Sequence, residues 1–170
     1  MRIYLDTSAL IKQFSSEERS DIINAIFHKC HEGELTIVTS YWSLLETMAA
    51  IDRKYNQRHE IRIDERDSAL QTLLAYSYGL GFEETVELIP IPDEMHLARM
   101  VSIIITNKHL SADDSLQLVS ARIGECDLFI LADNRFAKII KEDEEQEKFK
   151  VYNIIDDNDY IDLKGLLGIS

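Results

Sequence analysis

Residues 127–136 read DLFILADNRF. From Leu128 to Ala132 the run is continuously apolar, so neither face of an extended segment here would be polar. Strands of that kind belong to parallel sheets covered by helices on both sides. Asp133 ends the run, and Phe136, Ile139 and Ile140 then follow at helical spacing. In open parallel sheets ligands bind beyond the carboxyl ends of the strands, near the point where strand order reverses. Asp133 stands at such an end.

The pattern recurs at the start of the chain. Ile3-Tyr4-Leu5 reads as a buried strand delivering Asp6, Thr7 and Ser8, after which residues 8–14 open a short helix. Ser15 and Glu18 have capping-box spacing ahead of Ile22, Ile23, Ile26, Phe27 and Cys30, which recur helically until Gly33. Residues 36–39 form a β-branched strand, and Ser40 is a cap for a helix carrying Leu44, Met48, Ile51 and Tyr55. A charged stretch, residues 52–67, precedes renewed helical periodicity toward Gly79, which predicts an exposed helical hairpin at about residues 40–80.

Further strands are expected at 86–91, closed by Pro92, and at 151–155. Helices are expected around Leu97–Ile105 and over 111–123, the second stopped by Gly124, and the tail IDLKGLLGIS reads as a turn or strand. Residues 141–148, KEDEEQEK, read as a solvated helix end or loop. Helix and strand alternate without a linker or repeat. The expected architecture is therefore an α/β fold, a three-layer α/β/α sandwich with a mainly parallel twisted sheet, in one domain over residues 1–170.

The 170 residues, 45% apolar, are enough for one sizeable core. No apolar run reaches the length of a membrane span and no signal pattern opens the chain, so a cytoplasmic protein is expected. Cys30 and Cys126 have neither metal-site nor disulfide-framework spacing. The five histidines share no ligand spacing, and Trp42 is assigned to the core. With 18 basic against 31 acidic side chains, the net charge of −13 repels phosphates, which argues against a general nucleic-acid coat. A nucleic acid would have to be met locally, through a basic patch or bound cations.

Four acids interrupt or follow apolar patterns: Asp6, Glu46, Asp114 and Asp133. Carboxylates converging on one pocket repel one another and resist desolvation, unless divalent cations neutralise them. Oxygen-only ligands favour Mg²⁺ or Mn²⁺ over zinc. Each acid also has a plainer use. Asp6 can cap the following helix, and Asp133 or Asn134 can cap the one beginning near Arg135. Glu46 can complete a capping box with Ser43, or lie one turn deeper if Ser40 is the cap. Asp114 can tie a helix start to Ser111. Helical spacing favours Asp114 over Asp113, because Leu118 and Ala121 share its side whereas Gln117 and Ser120 share that of Asp113.

Taken in order, YLDTSAL, S-x-x-x-x-x-E over residues 40–46, DSLQLVSA and LFILADNRF resemble a PIN domain, and within that family the VapC-like ribonuclease toxins. The resemblance spans residues 1–155. It implies an endoribonuclease dependent on Mg²⁺ or Mn²⁺, with Asp6, Glu46, Asp114 and Asp133 as catalytic metal ligands and Thr7, Ser8 and Asn134 as accessory groups. An RNA substrate, an antitoxin protein and a homodimer are the implied partners. Lys12, Arg53, Lys54 and Arg58 are candidates for holding RNA phosphates. Two positions depart from the pattern: Gln117 stands where histidine is common, and Leu131 where a hydroxyl is. A PIN-like module that binds RNA or protein without catalysis is the alternative, and a D-x-D phosphatase is disfavoured because Ser8 occupies the place of the second aspartate.

Overall fold

The computed structural model describes residues 1–59, 61–78, 86–89, 94–142 and 147–169. The described residues form five strands: β1 (Arg2–Leu5), β2 (Thr36–Ser40), β3 (Val86–Ile89), β4 (Leu128–Leu131) and β5 (Lys150–Asn153). They pair in the order β3-β2-β1-β4-β5, and every pairing is parallel. Chain order climbs outward from β1 in both directions. The reversal of strand order therefore falls between β1 and β4, where Leu5 lies opposite Ile130.

Helices cover both faces. Residues alternate across β1, so Ile3 and Leu5 enter one core while Tyr4 enters the other. The first core takes α1 (Thr7–Leu10), α2 (Ser20–His31), α3 (Tyr41–Arg53), α4 (Ile63–Tyr78) and α8 (Asp157–Leu167) through residues such as Ile26, Leu44, Leu73 and Leu163. The second takes α5 (Glu94–Lys108), α6 (Ala112–Ile123) and α7 (Asn134–Lys141) through Ile104, Leu118 and Phe136. Tyr4, Phe129 and Phe149 stack in series beneath α6 and α7, with ring centroids 5.2 and 5.6 Å apart. The three-layer α/β/α sandwich is as the sequence implies.

Several local expectations change. Ser15 does not cap α2: its hydroxyl turns back to the Ile11 carbonyl and to Glu17, and α2 starts at Ser20 after Arg19 takes a left-handed conformation. The tail is neither turn nor strand but helix α8, started by Asp156, whose carboxylate accepts from the Asn158 and Asp159 amides, and ended at left-handed Gly168. Trp42 is no core residue; it lies 39% exposed beside Tyr41 on the first turn of α3. A single π-helical turn, Lys54–Arg58, follows α3 before the chain returns along α4. The expected stops at Gly79 and Pro92, and residues 143–146 of the acidic run, lie outside the described residues.

Candidate active site

The strand β1 ends by handing Asp6 into the crossover between β1 and β4. The Asp6 amide donates to the Ile130 carbonyl at 3.0 Å, which continues the ladder one residue beyond the strand. The Asp6 carboxylate then accepts from the Ser8 amide at 3.2 Å and the Ser8 hydroxyl at 2.6 Å, both on Oδ2. Capping and burial thus coexist: Asp6 caps α1 and is 6% exposed. Desolvation pushes its pKa up to about 6, opposed by the Ser8 and Thr7 hydrogen bonds and reinforced by the negative charge of Glu46.

Glu46 reaches the same place from α3. Ser40 is the cap of that helix, accepting from the Ser43 amide at 3.0 Å, so Glu46 lies one turn deeper and is not the partner of a capping box. Its Oε2 accepts from the Thr7 hydroxyl at 2.6 Å and from Gln117 Nε2 at 2.8 Å. Gln117 comes from α6, three residues after Asp114.

Asp114 itself accepts through Oδ2 from Arg135 Nη2 at 2.6 Å. Its amide donates to the Ser111 hydroxyl, which caps α6. Asp114 is half-buried and Asp113 exposed, but helical spacing does not separate them as expected: Gln117 and Ser120, on the side of Asp113, are both buried. Residues 117–121 of α6 are buried all round.

Asp133 caps α7, with Oδ1 accepting from the Phe136 amide at 2.8 Å. Its neighbour Ala132 donates its amide to the Ser8 hydroxyl at 2.8 Å. Asn134 is exposed and accepts from Asn153 at 2.7 Å, tying α7 to β5.

These contacts close a ring: Asp6 to Ser8, Ser8 to the Ala132 amide beside Asp133, Arg135 to Asp114, one turn of α6 to Gln117, and Gln117 to Glu46 and Thr7. Glu46 stands near enough for its charge to add to the raised pKa of Asp6, while Asp114 and Asp133 are linked to the group through intermediaries. Among the described residues, no three or more acid, histidine or cysteine side chains stand close enough together to hold a metal ion. The donor chemistry nonetheless suits a hard cation. All four donors are carboxylates, and Asp6 is buried beside a second negative charge. Glu46, Asp114 and Asp133 are each anchored through one oxygen, which leaves each a second one, while Asp6 is held by both Ser8 and Thr7.

The basic candidates divide. Lys12 is 6% exposed, and its ammonium donates to the Glu18 carbonyl at 2.8 Å and to Glu17 at 3.3 Å, so it is not a solvent-facing cation. Lys54 also binds Glu17. Arg53 and Arg58 are exposed near the end of α3. The sequence pattern gives Gln117 no role, because its partners come from segments 71 to 113 residues away.

The family model for the PIN domain matches residues 3–142. No curated protein sequence matches the chain. Among solved structures, the chain is similar to VapBC2 from Rickettsia felis bound to a DNA fragment from their promoter, with a TM-score of 0.55 at 12% identity, covering 90% of this chain and 98% of that one. It is similar to VapC20 of Mycobacterium tuberculosis, a sarcin-ricin loop cleaving toxin, with a TM-score of 0.54 at 15% identity over 80% and 93% of the two chains. FitAcB from Neisseria gonorrhoeae matches with a TM-score of 0.50 at 12% identity, over 89% and 96%.

Proposed function

The chain belongs to the PIN domain family, and on that premise we propose that it is a divalent-metal-dependent endoribonuclease acting as the toxin of a toxin–antitoxin pair. One observation carries the reading: a carboxylate, Asp6, is buried at the reversal of strand order with Glu46 raising its energy. A structural cap has no need of that burial or of an acidic neighbour. The pair is relieved when a cation enters.

Mg²⁺ or Mn²⁺ is the cofactor that the all-carboxylate set favours. Asp6 and Asp114 would hold it, with Glu46 and Asp133 as the further carboxylates of the set. When bound, the ion supplies an activated water and offsets charge on the phosphodiester. The side chains do the rest: Ser8 and Thr7 fix Asp6 and Glu46, Arg135 holds Asp114, and Asn134 is the accessory neighbour of Asp133. The net charge of −13 makes metal loading a precondition for admitting phosphate.

Single-stranded or looped RNA is the substrate that can thread such a cleft. Arg53 and Arg58 are the exposed cations for its backbone, and the protein works in the cytoplasm. The antitoxin partner follows from the resemblance to VapC-like toxins, and exposed Ile63 at the start of α4 is offered to a homodimer. The test is cleavage of RNA in Mg²⁺ or Mn²⁺ by the wild type and by Asp6→Asn: equal activity in both sinks the role of Asp6. The rival, a PIN-like module binding RNA or protein without catalysis, draws on the pairing of Asp114 with Arg135. Failure to take up Mn²⁺ would select it.

A further inference from the structure

Gln117 departs from the family pattern, is 2% exposed and uses all four of its hydrogen-bonding positions. Its Oε1 accepts from the Tyr4 hydroxyl at 2.7 Å and the Ser43 hydroxyl at 2.6 Å. Its Nε2 donates to Thr7 Oγ1 at 2.9 Å and to Glu46 Oε2 at 2.8 Å. Thr7 in turn donates to the same Glu46 oxygen, so three side chains from β1–α1, α3 and α6 make a closed triangle.

The direction of the amide is set by its neighbours. Tyr4 and Ser43 spend their protons on Oε1, and Ser43 Oγ lies 2.8 Å from the Ser40 hydroxyl, which can supply the proton that Ser43 accepts. Turned over, the amide would set Oε1 against the carboxylate, with no proton between them. Tyr4 and Ser43 are wholly buried, so the array cannot readily exchange partners with water.

We propose that Gln117 is a positioning residue of the metal site: through its Nε2, braced by Tyr4 and Ser43, it pins Glu46 Oε2 and so fixes the orientation of the carboxylate that would share a cation with Asp6. This rests on the metal-dependent reading above and adds to it a residue that acts only through Glu46. Groups that orient a ligating carboxylate are typically worth about 10- to 100-fold in metal affinity or activity.

The experiment is Mn²⁺ titration calorimetry on the intact chain, with thermal melts of the same samples. Wild type, Gln117→Met, Glu46→Gln and the double variant form a cycle. The expected result is a loss of about tenfold in Mn²⁺ affinity for Gln117→Met, and no further loss when it is added to Glu46→Gln. Gln117→Glu, matched in size, provides a second probe should the methionine variant fail to fold; its carboxylate facing Glu46 should abolish the pinning. A lower melting temperature with unchanged Mn²⁺ affinity would make Gln117 merely structural and overturn the proposal, as would equal losses in the two backgrounds. Wild type taking up no Mn²⁺ would overturn the metal reading and this proposal together.

Discussion

Arg135 joins the first turn of α7 to the first turn of α6 by donating to Asp114 at 2.6 Å. The arginine side chain is 60% exposed, and Asp114 is the more sheltered partner at 21%. The guanidinium occupies one oxygen of the carboxylate that the proposed cation needs, and its positive charge opposes the ion at the other.

Removing it should therefore improve metal uptake. Exposed ion pairs contribute about 0–1 kcal/mol, so Arg135→Gln should leave the urea midpoint nearly unchanged. Mn²⁺ affinity by calorimetry should rise severalfold as Asp114 is released. Equal or weaker binding would show that Arg135 does not compete for Asp114.

Asp6 should leave a signature in stability against pH. Its folded pKa of about 6 lies above the ordinary carboxylate value, so the fold holds this proton more tightly than the unfolded chain does. The stability that this proton contributes is complete below about pH 4 and is lost as pH rises through 6, at most about 3 kcal/mol at 1.36 kcal/mol per unit. Asp6→Asn carries no such proton. In EDTA, its stability relative to wild type should thus grow from pH 4 to pH 7 in denaturant titrations, whereas a constant difference would contradict the burial argument.

Lys12 and Arg53 should separate fold from binding. Lys12 is buried with Glu17 and the Glu18 carbonyl, so Lys12→Ala should cost about 2–4 kcal/mol in urea unfolding. Arg53→Ala should stay within about 0.5 kcal/mol. It should instead weaken binding to single-stranded RNA and lower the salt dependence by about one charge, read by fluorescence anisotropy at several salt concentrations. An unchanged salt slope would remove Arg53 from the RNA path.

Gly124 packs where α6 turns toward β4. A Cβ there would come within 2.8 Å of Ile89 Cδ1 and 3.0 Å of Val38 Cγ1, both core side chains on neighbouring strands. Gly124→Ala should cost about 1–3 kcal/mol through overpacking, seen as a lower urea midpoint. An unshifted midpoint would mean that β2 and β3 give way freely.

Much of this could be read in the chain because the signals were local. The apolar run Leu128–Leu131 dictated a strand buried on both faces, and Ser40, Ser111 and Asp133 stand directly before their helices as caps. Where local signals compete, the reading failed. Ser15 has the spacing of a cap, but Ile11 and Glu17 claim its hydroxyl, and α8 hides its start in a run of Asp and Asn that reads equally as a turn. Gln117 was illegible for another reason. A buried amide among Leu118, Val119 and Ala121 looks like an interruption of a helix face until Thr7, Ser43 and Glu46 arrive from distant segments to satisfy it.

The central claim is that Asp6 and Asp114 share a cation, and a crystal grown with Mn²⁺ tests it most directly through the anomalous signal. The account predicts a manganese peak within about 2.0–2.3 Å of carboxylate oxygens from both residues, with Arg135 turned away from Asp114. A map with no peak beside Asp6, and Arg135 still bound to Asp114, would contradict it.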